Sequence, residues 1–307
     1  MKKKKSGRLA SGIFTAIIVL VMIVGVGIMA YPAFSNWYNS LHQSRTIATL
    51  QEKIADTSEA DKQKMLEEAA AYNEALTDTS SVNHMTDEQM EAYLDTLDVS
   101  GTGIMGYIDI PKQKIHLPIY HEATEAVLQI GVGHLPGTSL PVGGEGTHSV
   151  LTGHTGLPSA KLFTDIDQMQ IGDTFEICVL DETLTYEVES IEVVLPSELS
   201  KIQLEEGRDL VTLVTCTPYG VNTHRLLITG HRVANAPETV AQPSQNWQRE
   251  ELIVTVLLWL PFMILAAGIL ILVFFVIRHH RKLKRIRQSI KESVEKNAED
   301  DAEDNDV

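Results

Sequence analysis

Two stretches of the chain carry no charged residue over membrane-spanning length, Leu9 to Phe34 and Leu252 to Ile277. A helix rises about 1.5 Å per residue and needs roughly 20 apolar residues to cross a bilayer, so both predict spanning helices. Between them the pattern changes twice. Residues 36–97 contain neither Pro nor Gly and read as helical. Met65, Leu66, Ala69, Tyr72 and Leu76 recur at helical spacing behind a capping-box-like Ser58-x-x-Asp61, and Met90, Tyr93, Leu94 and Leu97 repeat the pattern. Such helices either pack on the domain that follows or stand off it as a stalk. From Gly101 the periodicity becomes that of strands: Met105–Ile110, His116–Ile119, Ser149–Leu151, Thr174–Leu180, Leu184–Val194, Asp209–Thr215 and Leu226–Thr229, separated by Gly, Pro and Asp. Short strands with turn signals between them predict a closed or sandwiched all-β domain. Pro158 to Met169 reads as one short helix.

Charge orients the spans. Lys2, Lys3, Lys4, Lys5 and Arg8 precede the first, and Arg278, Arg281, Lys282, Lys284, Arg285 and Arg287 follow the second. Basic residues stay on the cytoplasmic side, which predicts a two-pass protein of the cell membrane with both termini inside. The chain then divides into a basic cytoplasmic N-terminus (1–10), a first span (11–34), an extracytoplasmic helical region (35–100), a β-domain (101–234), a polar linker (235–251), a second span (252–277) and a cytoplasmic tail that is basic and then acidic (278–307). The first apolar run also has the basic start of a secretory signal, but it is longer than a usual h-region and no clear A-x-A site follows Met29-Ala30-Tyr31. An uncleaved anchor is the reading taken.

The net charge of −16 conceals a split, because 13 of the 25 basic residues lie in the two cytoplasmic flanks. What remains outside is strongly acidic. Such a surface repels nucleic acid and is otherwise a solvated face. No carboxylate cluster suggests calcium, and neither metal nor cofactor is expected.

Candidate chemistry centres on two cysteines, Cys178 and Cys216. Cys178 lies mid-strand, which suits core packing. Cys216 ends the run Val211-Thr212-Leu213-Val214-Thr215-Cys216, and the strand breaks at once into Thr217-Pro218-Tyr219-Gly220. A thiol at a strand end is reachable. With an ordinary pKa near 8.5, a thiol needs help to act as a nucleophile at neutral pH. His154 follows a strand and lies between glycines, in Gly153-His154-Thr155-Gly156; His148, His224 and His231 are its rivals. An oxyanion needs a donor. Arg225 begins a strand nine residues after Cys216 and would lie across from it in a hairpin, whereas Arg232, the alternative, falls at the strand's far end.

Thr212-Leu213-Val214-Thr215-Cys216 resembles the sortase signature T-L-x-T-C, Cys216 to Arg225 has that family's spacing, and Thr152-Gly153-His154 is similar to its histidine motif. Gly106-Tyr107-Ile108 with Ile110-Pro111, Leu117-Pro118-Ile119-Tyr120-His121, Gly133-His134-Leu135, Thr138 to Gly144 and Thr217 to Arg225 resemble the class C, pilus-building sortases of Gram-positive bacteria. The likeness covers roughly residues 100–233. It implies a mainly β fold: an eight-stranded barrel, here with an N-terminal helical segment and two transmembrane helices. It implies a Leu-Pro-x-Thr-Gly-like sorting signal of a pilin or surface protein as substrate. Cys216 would attack the Thr carbonyl, His154 act as acid/base and Arg225 steady the oxyanion or substrate, with Thr215 and Leu213 at the substrate. The thioacyl-enzyme would pass to an amine, a pilin lysine or a cell-wall precursor. Class C enzymes typically carry a lid with an Asp-Pro-aromatic motif; no proline lies between Pro32 and Pro111, so the motif is absent and residues 77–100 are the remaining lid candidate. Two rival readings stand beside this one: another exported cysteine peptidase, and a non-enzymatic tethered adhesin or scaffold with a structural cysteine.

Overall fold

The computed structural model describes residues 3–76 and 85–235, with further positions at 268, 278, 281–282, 285–290 and 293. The second apolar span except Gly268, the linker beyond Asn235, the acidic tail and residues 77–84 of the candidate lid lie outside the described residues. Residues 1–241 form one unit and 242–307 another, the latter helical at 285–290.

Helix α1 is a single helix, Lys3–Asp56, that runs through Pro32. Among the described residues it is the one helix long and apolar enough to cross a membrane. Leu20, Val21, Ile28 and Met29 on it are exposed, as lipid-facing side chains would be. Its last third turns instead to protein. Ile47, Leu50 and Ile54 are at most 4% exposed, and Asn39 and Gln43 donate to the carbonyls of Ser159 (2.7 Å) and Ile130 (3.0 Å). Burying three aliphatic side chains contributes on the order of 5 kcal/mol before ordering costs, which favours a docked helix over a free stalk. The boundary expected near residue 35 is thus no break in secondary structure: the apolar stretch and the docked segment are one helix.

Helix α2 (Glu59–Ala75) starts as the capping pattern predicts, with Ser58 Oγ accepting from the Asp61 amide. Near its end the Asn73 side chain bonds both the N–H and the C=O of Leu140, at 2.7 and 3.1 Å. Helix α3 (Asp87–Asp95) carries a full capping box between Thr86 and Gln89 and buries Tyr93 completely. The described part of the candidate lid is therefore packed on the domain.

Eight strands follow: β1 Ile104–Ile110, β2 Ile115–Tyr120, β3 Val132–His134, β4 Thr147–Thr152, β5 Thr174–Val179, β6 Glu182–Val194, β7 Asp209–Thr217 and β8 His224–Val233. They close into a barrel in the order β1-β2-β3-β4-β7-β8-β6-β5. The β2/β3 and β4/β7 pairs are parallel; the rest are antiparallel. Alternation along β7 sorts its side chains between two faces. Val211 and Leu213 point into the barrel core with Ile108, Phe175 and Ile228, while Val214 joins a second cluster of Val150, Val194, Ile202 and Leu227.

Two elements escaped the sequence pattern, β3 and a four-residue helix α4 (Glu125–Leu128). One expectation is corrected. Residues 158–169 are turns ending in a 3-10 turn at Ile166–Gln168, because Leu162 takes a left-handed φ of 42° and the Phe163 amide donates to the His154 carbonyl instead of to a helical partner. Cys178 sits in β5, 4% exposed, against Ile47 and Tyr107, and burial pushes its thiol up. Neither cysteine is bridged.

Candidate active site

Cys216 and Arg225 are direct cross-strand partners on antiparallel β7 and β8. Residues paired in that way project from the same face with Cβ atoms about 5 Å apart, so the thiol and the guanidinium stem are neighbours by register alone. On the other side of β7 lies β4, parallel to it, with Thr152 level with Val214. The chain leaves β4 at Gly153, whose amide donates to the Val214 carbonyl (3.0 Å) and whose carbonyl accepts from Thr215 Oγ1 (2.7 Å). His154 comes next. Its own carbonyl accepts from the Phe163 amide at 3.1 Å. A side chain at position 153 would meet the Phe163 ring, since a Cβ there would lie 2.7 Å from it. The glycine is needed for this close approach, and the loop it closes holds the histidine backbone on both sides.

Cysteine and arginine thus stand on the adjacent strands β7 and β8, and the histidine follows the end of β4, the strand on the other side of β7. All three line one groove of about 250 Å³, with Ala123, Leu128, Leu135, Val150 and Val214 giving it an apolar surface. The Arg225 guanidinium is steadied through Nη1 by the carbonyls of Asn222 (3.3 Å) and His224 (3.1 Å). No carboxylate pairs with it among the described residues, although the domain has acids in surplus. His154 is a quarter exposed, and its Nε2 stands 3.4 Å from Glu125 Oε2 on α4.

The wall beside His154 is braced from the N-terminal helices. Tyr93 Oη accepts from the Glu122 amide (2.9 Å), next to groove-lining Ala123, and bonds His134 Nδ1 at 3.0 Å. His134 in turn reaches the Ser139 carbonyl through Nε2 at 2.8 Å. Burial holds this imidazole below its ordinary range, at about 4, so it is a neutral structural link at physiological pH.

The rivals fall elsewhere. His148 is buried between the Gln203 carbonyl and Thr212 Oγ1, both at 2.7 Å, and burial lowers its pKa. His231 lies 3.1 Å from Glu189, and His224 bonds Thr223 in the β7–β8 loop region. Arg232 bonds the carbonyls of Thr185 and Val233 and the Asn235 side chain, seven positions along β8 from Arg225. Of the two residues assigned to substrate, Thr215 lines the groove but spends its hydroxyl on Gly153, and Leu213 is fully buried in the barrel core. Val214 is the neighbour that reaches the groove. Glu125 was not singled out from the sequence; Thr124, an N-cap residue that accepts from the Val127 amide, was the available signal for a helix there.

The fold and the site together define a class, a β-barrel cysteine transpeptidase. A family model for the sortase domain matches residues 108–233. Sortase C1 of Streptococcus agalactiae superposes with a TM-score of 0.61 at 47% identity, covering 62% of this chain and 100% of its own. Sortase C-1 of Actinomyces oris gives 0.54 at 48% identity, covering 57% and 99%. "Sortase A" of Bacillus anthracis is 22% identical over 221 residues, 72% of this chain and 95% of its own length. This chain belongs to the sortase family, and the two solved structures named above are sortase C enzymes.

Proposed function

We propose that the chain cleaves a Leu-Pro-x-Thr-Gly-like sorting signal between Thr and Gly and joins the acyl end to an amine, a pilin lysine first and a cell-wall precursor as the other candidate. The observation that carries this reading is the register that pairs Cys216 with Arg225 while β4 delivers His154 to the same groove. In the first half-reaction the Cys216 sulfur attacks the Thr carbonyl, and Arg225 hydrogen-bonds the oxygen as it becomes negative. The C–N bond breaks as His154 gives its proton to the departing amine, leaving a thioester on Cys216. In the second an amine attacks the thioester and sulfur leaves. The apolar lining from Leu128, Leu135, Val150 and Val214 suits the Leu-Pro part of the signal. A pilin acceptor is supported by likeness to the Streptococcus pneumoniae sortase C, whose structure bears on pilin substrate specificity. Full-length protein in detergent, incubated with sorting-signal peptides and amines, should yield the Thr–amine conjugate by mass spectrometry. Cleavage at another bond, or hydrolysis alone at high amine, would defeat the proposal.

The sorting signal of an exported protein is met outside the cytoplasm, and the basic flanks support a topology with 35–251 there and both termini inside. Protease added to wall-stripped cells should degrade the barrel and spare tags on both ends. A protected barrel, or a digested tag, would overturn the two-pass topology.

A further inference from the structure

The groove is flanked by opposite charges. Arg225 stands on one side of Cys216, and Glu125 on the other, beyond His154. Glu125 opens α4, whose Leu128 lines the groove, as does Ala123 just before it. One carboxylate oxygen, Oε1, is fixed by Gln129 Nε2 at 2.7 Å. The other, Oε2, faces His154 Nε2 at 3.4 Å, within ion-pair range, while Nε2 is buried and completes no hydrogen bond. The Glu125 side chain is 73% exposed, so a solute can reach it. The Gln129 hydrogen bond, and then the nearby imidazole, hold its carboxyl below the usual carboxylate range, which keeps it ionised at neutral pH.

A lysine amine arrives at neutral pH as an ammonium ion. It must come to the thioester beside the group that will take its proton, and the guanidinium flank repels it. We propose that Glu125 is the docking residue for the acceptor's ammonium group, holding it beside His154 during the second half-reaction. This rests on the amine-acceptor reading above. The N–C bond forms, the C–S bond breaks with its electron pair leaving on Cys216, one ammonium proton passes to His154 and the other to solvent. Glu125 acts by charge and takes no proton.

The full chain in detergent, wild type and Glu125→Gln, separates the steps. Single-turnover release of the peptide's C-terminal fragment reads acylation. Partition between hydrolysis and conjugate reads the acceptor, using a lysine-containing peptide and, separately, hydroxylamine, which is uncharged at neutral pH. For Glu125→Gln the lysine concentration that halves hydrolysis should rise about fivefold, the scale of an exposed charge pair. The rise should shrink with added salt, as screening requires. Acylation and partition to hydroxylamine should stay within about twofold of wild type. Equal lysine partition in the two proteins overturns the proposal. So does a parallel loss with hydroxylamine and in acylation, which would make Glu125 a positioning residue for His154. If wild type acylates with no peptide, the reading of the whole site fails, and this one with it.

Discussion

Cys216→Ala should abolish acyl transfer, a loss of about 10⁴-fold or more, while the barrel stays folded. Cys216 is the penultimate residue of β7 and lines the groove, half-buried, and no core cluster includes it. Removing its sulfur therefore removes the nucleophile without opening a cavity. Cys178→Ala is the matched control. That sulfur packs against Ile47 and Tyr107, so its loss should lower stability by ~1–2 kcal/mol and leave the rate intact. The two mutants should thus separate cleanly, one in activity and one in thermal midpoint. Acyl-enzyme formation with a sorting-signal peptide, measured beside thermal unfolding, checks both. An active Cys216→Ala protein, or an inactive but folded Cys178→Ala protein, would place the nucleophile elsewhere.

How far the sequence could be read follows from the range of the interactions involved. Cys216 and Arg225 are joined by one hairpin, so strand alternation and loop length suffice to set them opposite each other. The N-cap at Ser58 is local as well, and it is legible for the same reason. His154 is different: its meeting with Cys216 depends on β4 and β7 pairing in parallel across more than sixty residues, which no local pattern encodes. There the family resemblance did what periodicity could not. Strand β3 has only three residues, one of them Gly133, and is too short to show a period. The misplaced helix at 158–169 had acceptable spacing, yet Phe163 is claimed by the His154 carbonyl and Gly153. Leu213 is the instructive case. Counting back by two from Cys216 reaches Val214, so parity alone puts Leu213 on the core face with Val211. A signature motif names the residues of a strand without saying which face each one serves.

Arg225→Lys should lose most of the rate although it keeps the charge. Arginine presents a planar fork of donors, whereas lysine carries a point charge on a flexible stem. In this structure Nη1 is spent on the Asn222 and His224 carbonyls, which orient the fork beside Cys216. A lysine ammonium cannot satisfy those carbonyls and also meet an oxyanion in the same geometry. Loss of one oxyanion donor typically costs about 10²–10³ in kcat, or ~3–4 kcal/mol. The competing account makes Arg225 an ordinary surface cation answering the acidic surroundings. That account predicts near silence, because exposed pairs contribute ~0–1 kcal/mol, and it has no carboxylate partner for Arg225 among the described residues. Arg232→Lys is the comparison. Arg232 bonds three oxygens at the far end of β8 and lies over the Tyr186 ring, 5.9 Å from its centroid. Its replacement should cost about 1 kcal/mol of stability with the rate near wild type. Acyl-enzyme formation for both variants, with thermal unfolding alongside, decides between the accounts. A fully active Arg225→Lys enzyme, or an equal loss of rate at Arg232, would remove Arg225 from the mechanism.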